Sequence, residues 1–94
     1  MFGSDPRKAR TNLRKHGISF TEADTVFDDP AVQLELDVRP ELDDALRVGE
    51  DRWRARGRSD RDRLLIVSFS YRYGQRRIIS ARRATKRERH DFEA

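Results

Sequence analysis

Residues 64–71 read LLIVSFSY, a run that is apolar on both faces of an extended chain. A strand of that kind takes a central place in a sheet. Its neighbours are legible on both sides. Upstream, RWRARGRS (52–59) alternates, with Arg52, Arg54, Arg56 and Arg58 on one face and Trp53, Ala55 and Gly57 on the other. Downstream, RYGQ reads as a hairpin turn and RRIISA as the last strand. The short connections make these three strands an antiparallel meander. A fourth strand is expected in AVQLELDVR (31–39), where Val32, Leu34, Leu36 and Val38 form the face to be buried and Gln33, Glu35 and Asp37 the other. Residues 39–51 carry no such pattern; a loop with a helical turn around Leu42 and Leu46 is expected.

The remaining segments read as helices. DPRKARTNLRKHG has a capping Asp5, Pro6 at the first helical position, and Gly17 after the last turn. Ala9 and Leu13 give it a thin apolar stripe. In ISFTEADTVFDDP, Ser19 and Glu22 have the spacing of a capping box, and Phe20, Ala23, Val26 and Phe27 form the face to be buried. Thr85 and Glu88 repeat the capping spacing and open a C-terminal helix, KRERHDFEA. The expectation is a single α+β domain over 1–94: a small antiparallel four-stranded sheet with two N-terminal helices and a C-terminal helix. Two helices cover one face, and the arginines occupy the other.

Charged residues make up 40% of the 94, against 35% hydrophobic, so only the clustering of the apolar residues argues for folding. With no cysteine and two histidines, no disulfide and no dedicated metal site is expected, and no cofactor. No apolar run suits a membrane span, so the cytoplasm is the expected place. Charge is segregated. Residues 20–51 carry eleven acidic and two basic side chains; residues 52–94 carry fourteen basic and five acidic. Eighteen of the twenty-one cations are Arg, whose planar fork suits phosphate.

This inventory suits phosphate chemistry without a metal. RNA already carries its nucleophile, the 2′-OH. A ribonuclease must remove that proton, neutralise the developing charge and protonate the leaving oxygen. Lys15 and His16, at the end of the first helix, have the residue types of an acid/base pair; cations there also answer the helix dipole. Glu22 is a candidate base, although its capping-box role explains it fully and is the stronger reading. Arg52, Arg54, Arg56 and Arg58 repel one another on one strand face, so Glu35, Asp37 or a bound polyanion must relieve them. Arg76, Arg77, Arg82 and Arg83 straddle the end of the last strand, and a helix N-terminus favourable to an anion follows.

The stretches NLRKHGISFTEA, VFDDP and RIISARRATKRER, set in FGSDPRKARTNLRKHGISFTEADTVFDDP and GEDRW…GRSDR…LLIVSFS, resemble the BrnT family of bacterial type II toxins over nearly the whole chain. The resemblance implies a ribonuclease with a fold like that of RelE toxins. It implies neutralisation by a BrnA antitoxin with a ribbon-helix-helix DNA-binding part, and operator DNA contacted only through that complex. It points to Lys15, His16, Glu22, Arg52, Arg77, Ser80 and Arg82. Arg77 and Arg82 are expected to hold the phosphate, with Arg52, Arg54, Ser80 and Arg83 also on the RNA. Where the family usually has an aromatic before the Asp-Pro pair this chain has Ser4, and Arg54 and Arg56 stand where the family tends to be apolar. The reading from another class is a non-catalytic RNA- or DNA-binding module using the same basic face; a third is a small scaffold subunit acting only in its complex.

Overall fold

The computed structural model describes residues 3–37 and 52–94. The helical turn expected around Leu42 and Leu46, and Val38, lie outside the described residues. In chain order the elements are β1 (Gly3–Ser4), α1 (Pro6–His16), α2 (Phe20–Thr25), a 3-10 turn (Val26–Asp28), β2 (Gln33–Leu36), β3 (Arg52–Arg58), β4 (Leu64–Arg72), β5 (Gln75–Arg83) and α3 (Lys86–Glu93). The sheet order is β1-β5-β4-β3-β2. β2 to β5 are antiparallel neighbours, as expected. The two-residue β1 adds a parallel strand against Arg77 and Ile78.

The doubly apolar run is indeed central. Leu65, Val67 and Phe69 face the helices and join Ile18, Phe20, Ala23, Val26, Ala55, Ile78 and Ala81 in the main core. On the opposite face Leu64 and Ile66 pack with Ala84 and Phe92, so α3 covers one end of the arginine side. Two local devices bring the helices close. Gly57 lets the 3-10 turn lie against β3: a Cβ there would come within 2.9 Å of a Val26 methyl group. Asp29 then accepts the Arg58 amide at 2.7 Å, and that bond holds its carboxyl below the usual carboxylate range.

Three expectations need correction. Leu13 is 52% exposed, and the residue buried in α1 is Asn12. Its amide nitrogen donates to the carbonyls of Ile18 (2.9 Å) and Ala81 (2.8 Å), and its oxygen accepts the Ala81 amide (2.9 Å). Asn12 thus stands where a neighbouring strand would be and satisfies the edge of β5 beyond the reach of β1. The apolar face of β2 is not buried, with Leu34 and Leu36 52% and 43% exposed, because β2 is an edge strand. At α2 only half of the capping box forms: Ser19 accepts the Glu22 amide, but the Glu22 carboxylate turns elsewhere. The Thr85–Glu88 box of α3 is complete.

Asn12→Leu should lower stability by about 2–3 kcal/mol, since it strands buried backbone groups of Ala81 and Ile18. Urea denaturation measures this; a shift below about 0.5 kcal/mol, no more than a surface substitution costs, would mean that water replaces the side chain.

Candidate phosphate-binding site

The strand registers place side chains in rows across the face away from α1 and α2. One row runs Arg77, Ser70, Arg52; the next Ser80, Ser68, Arg54, Glu35; the third Arg82, Ile66, Arg56, Gln33. Residues three apart on a regular strand point to opposite faces. Arg77 and Ser80 nevertheless share one, because the β4–β5 pairing slips at Ser68/Phe69 and Ile79 becomes the extra residue of a bulge. The Ile78-Ile79 doublet, which breaks the alternation, was the signal for this in the sequence.

Most of the arginines on this face have a carboxylate. Arg54 and Arg56 share Glu35. Arg58 takes Glu93 at 2.7 Å. Arg82 holds Glu88 with both terminal guanidinium nitrogens, at 2.7 and 2.9 Å, and this pulls the Glu88 carboxyl down to about 2. Arg52 and Arg77 have no carboxylate partner among the described residues, and they flank the buried Ser70. The Nε atoms of Arg52 and Arg54 are buried without a hydrogen-bond partner among the described residues. Unanswered guanidinium donors beside a hydroxyl are what an incoming phosphate oxygen would complete. Next to Glu35 or Glu88, by contrast, a phosphate would meet a carboxylate.

Lys15 and His16 lie at the edge of this face. With Arg7, Lys8, Thr11, Asn12, Ile79 and Ser80 they line a cleft of about 320 Å³ between α1 and β5. Asn12 sets that distance by bonding α1 to β5. Ser80 belongs to both the cleft and the second row, so α1 and the arginine face meet there.

Two candidates stand apart. Glu22 is buried on the helix side. It accepts from Ser59 Oγ at 2.7 Å and from both Nε and a terminal nitrogen of Arg63. The Arg63 hydrogen bonds hold its carboxyl below the usual range despite burial, and raise Arg63 in turn. Arg83 pairs with Leu65, on the helix-side face at the end of β5, and lines a separate cleft of about 450 Å³ with Arg63 and Arg89. Sequence reasoning missed Asn12, Arg63 and Ser70: Asn12 and Arg63 are polar residues on polar stretches and carry no mark of their partners, and Ser70 is a small hydroxyl residue in a largely apolar strand.

Compared with known proteins, residues 5–88 match the family described as "Ribonuclease toxin, BrnT, of type II toxin-antitoxin system". The 1.1 Å crystal structure of the Brucella abortus ribonuclease toxin BrnT is similar, with a TM-score of 0.65 over 90% of this chain and 96% of that one. The two are 19% identical, so this likeness speaks for the fold alone. A search of curated proteins found no match. The family match spans all three helix N-caps, every strand but β1, and every row of the arginine face, so the chain belongs to the BrnT family of ribonuclease toxins of type II toxin–antitoxin systems.

Proposed function

We propose that the protein cleaves RNA in the cytoplasm without a metal, using the substrate's own 2′-OH. It seats the scissile phosphate between Arg77 and Arg52. The observation that carries this reading is the pair of arginines, across Ser70, that no carboxylate among the described residues takes, one row from Ser80 and the Lys15–His16 cleft. Two forked cations there would neutralise the added charge of the phosphorane. Lys15 and His16 reach the same substrate from the edge and supply the proton transfers. Ser80 contacts the neighbouring backbone; Arg54 and Arg82 would join it only by releasing Glu35 and Glu88. Arg83 contributes general attraction from the far end of β5. A cognate BrnA-like ribbon-helix-helix antitoxin neutralises the toxin, and operator DNA is bound only by that complex.

Digestion of purified RNA tests this. Cleavage should persist in EDTA and vanish on RNA whose 2′-OH groups are methylated. Lys15→Ala and His16→Ala should fold normally, because exposed cations at a helix end contribute only about 0.3–1 kcal/mol through the dipole, while at least one of them slows turnover. Complete loss in chelator with recovery on adding a divalent ion would overturn the metal-free mechanism. If both variants cleave like the parent, the proton transfers belong to other groups. Binding without any cleavage would favour the non-catalytic module.

A further inference from the structure

The β4–β5 hairpin closes on two residues, Tyr73 and Gly74, between the paired Arg72 and Gln75. Both have positive φ, 52° and 76°. This is the backbone of the tight hairpin turn that Asn-Gly favours, because the first position strains any side chain with a bulky Cβ substituent. A tyrosine is therefore a poor local choice, and packing does not explain it. Tyr73 is 101% exposed, and its ring touches no other ring, ion or hydrogen-bond partner among the described residues. Tyr71, by contrast, is half-exposed and sets its ring edge-on to Phe69, at 5.6 Å. Tyr73 stands three residues past Ser70 and four before its partner Arg77, about 10 Å from that pair at the rise of a strand.

We propose that Tyr73 is a base-stacking subsite for single-stranded RNA, taking an unpaired base near the phosphate held by Arg77 and Arg52. The inference rests on the reading of the arginine face as an RNA site. An aromatic ring with both faces open, on a short hairpin, offers stacking area for any base at little entropic cost. It would hold the strand beyond the scissile phosphate and favour unpaired over helical RNA, whose bases are stacked on one another.

The test uses the whole protein and single-stranded 2′-O-methyl RNA, which keeps bases and phosphates but not the proposed nucleophile. Binding is measured by fluorescence anisotropy beside an abasic strand of equal length. Tyr73→Asn suits the turn better than the native residue, so its thermal midpoint should hold or rise. Its affinity for the RNA should nonetheless fall about ten- to a hundredfold, with Tyr73→Phe close to the parent. On the abasic strand, Tyr73→Asn and the parent should bind alike. The proposal is overturned if Tyr73→Asn binds RNA as the parent does, or if the loss is equal on the abasic strand. It is also overturned if Tyr73→Asn keeps RNA binding and loses only neutralisation by the antitoxin, which would make Tyr73 a protein contact. If Arg77→Ala abolishes binding and Tyr73→Asn does not weaken it, the stacking subsite falls and the arginine site stands; if the parent does not bind the strand, both fall.

Discussion

Arg77→Ala and Arg52→Ala should each leave a folded protein whose RNA cleavage is reduced about a hundred- to a thousandfold, the usual loss for one preorganised donor. Neither side chain has an ion-pair partner among the described residues, so little native structure depends on them. Both are nonetheless placed by the sheet. Arg77 is held between β1, through Gly3, and β4, through Ser70; Arg52 faces Ser70 from the other side. Arg77→Lys should also be damaging, because it keeps the charge and loses the fork. Arg87→Ala and Arg89→Ala are the controls: both are exposed on α3 and should change cleavage little. Arg82→Ala is expected to act through α3 as well, since it releases the Glu88 carboxylate that also caps the Thr85 amide. Rates from single-turnover digestion would decide the matter. Equal, mild losses for Arg77→Ala and Arg87→Ala would describe a diffuse basic patch and sink the seat between Arg77 and Arg52.

Glu22→Ala should be the most destabilising single change, about 3–5 kcal/mol, the typical cost of breaking a buried ion pair. It removes the acceptor for Ser59 and Arg63 at once. Those bonds tie the β3–β4 turn to α2, with Thr25 adding a second tie through the Asp60 amide at 2.9 Å. A domain of this size has about 5–15 kcal/mol in total, so much of that margin would be gone. Glu22→Gln keeps an acceptor for Ser59 and should cost less. It also separates the structural role from the catalytic one. If Glu22→Gln folds normally yet cleaves at least a hundredfold more slowly, Glu22 belongs to the chemistry; unchanged cleavage makes it a structural anchor. The pH dependence has a definite sign. Glu22 and Glu88 both have carboxyls lowered from the ordinary 4.5, Glu88 to about 2. Their stabilisation is complete above about 4.5 and is lost as the pH falls through the folded values, so the loss of stability on acidifying below about pH 4.5 should be smaller in Glu22→Gln than in the parent.

Elements with their own punctuation were legible in the sequence. Asp5, Pro6 and Gly17 bound α1, and Thr85 with Glu88 opens α3. The alternation of Arg52 to Arg58 gave the face of β3, and the two-sided run from Leu64 placed β4 at the centre. These are local properties: caps satisfy backbone groups within four residues, and side-chain alternation follows from the pleat. The resemblance in NLRKHGISFTEA and RIISARRATKRER pointed to the family that residues 5–88 match.

Which charges are spent and which remain available was decided only by the tertiary structure. Arg54, Arg77 and Arg82 look alike in the chain, yet Glu35 takes the first, Glu88 the last, and no carboxylate among the described residues takes Arg77. Asn12 reads as one more polar residue of a basic helix, and becomes buried because β5 runs past the end of β1 and exposes backbone groups that need a partner. Glu22 has the spacing of a cap, and is drawn away because Arg63 offers a second charge and a better-fitting fork. An ion pair or a buried amide depends on what lies within a few ångströms in space, and residues 41 or 69 positions apart in sequence meet there only after the sheet has formed.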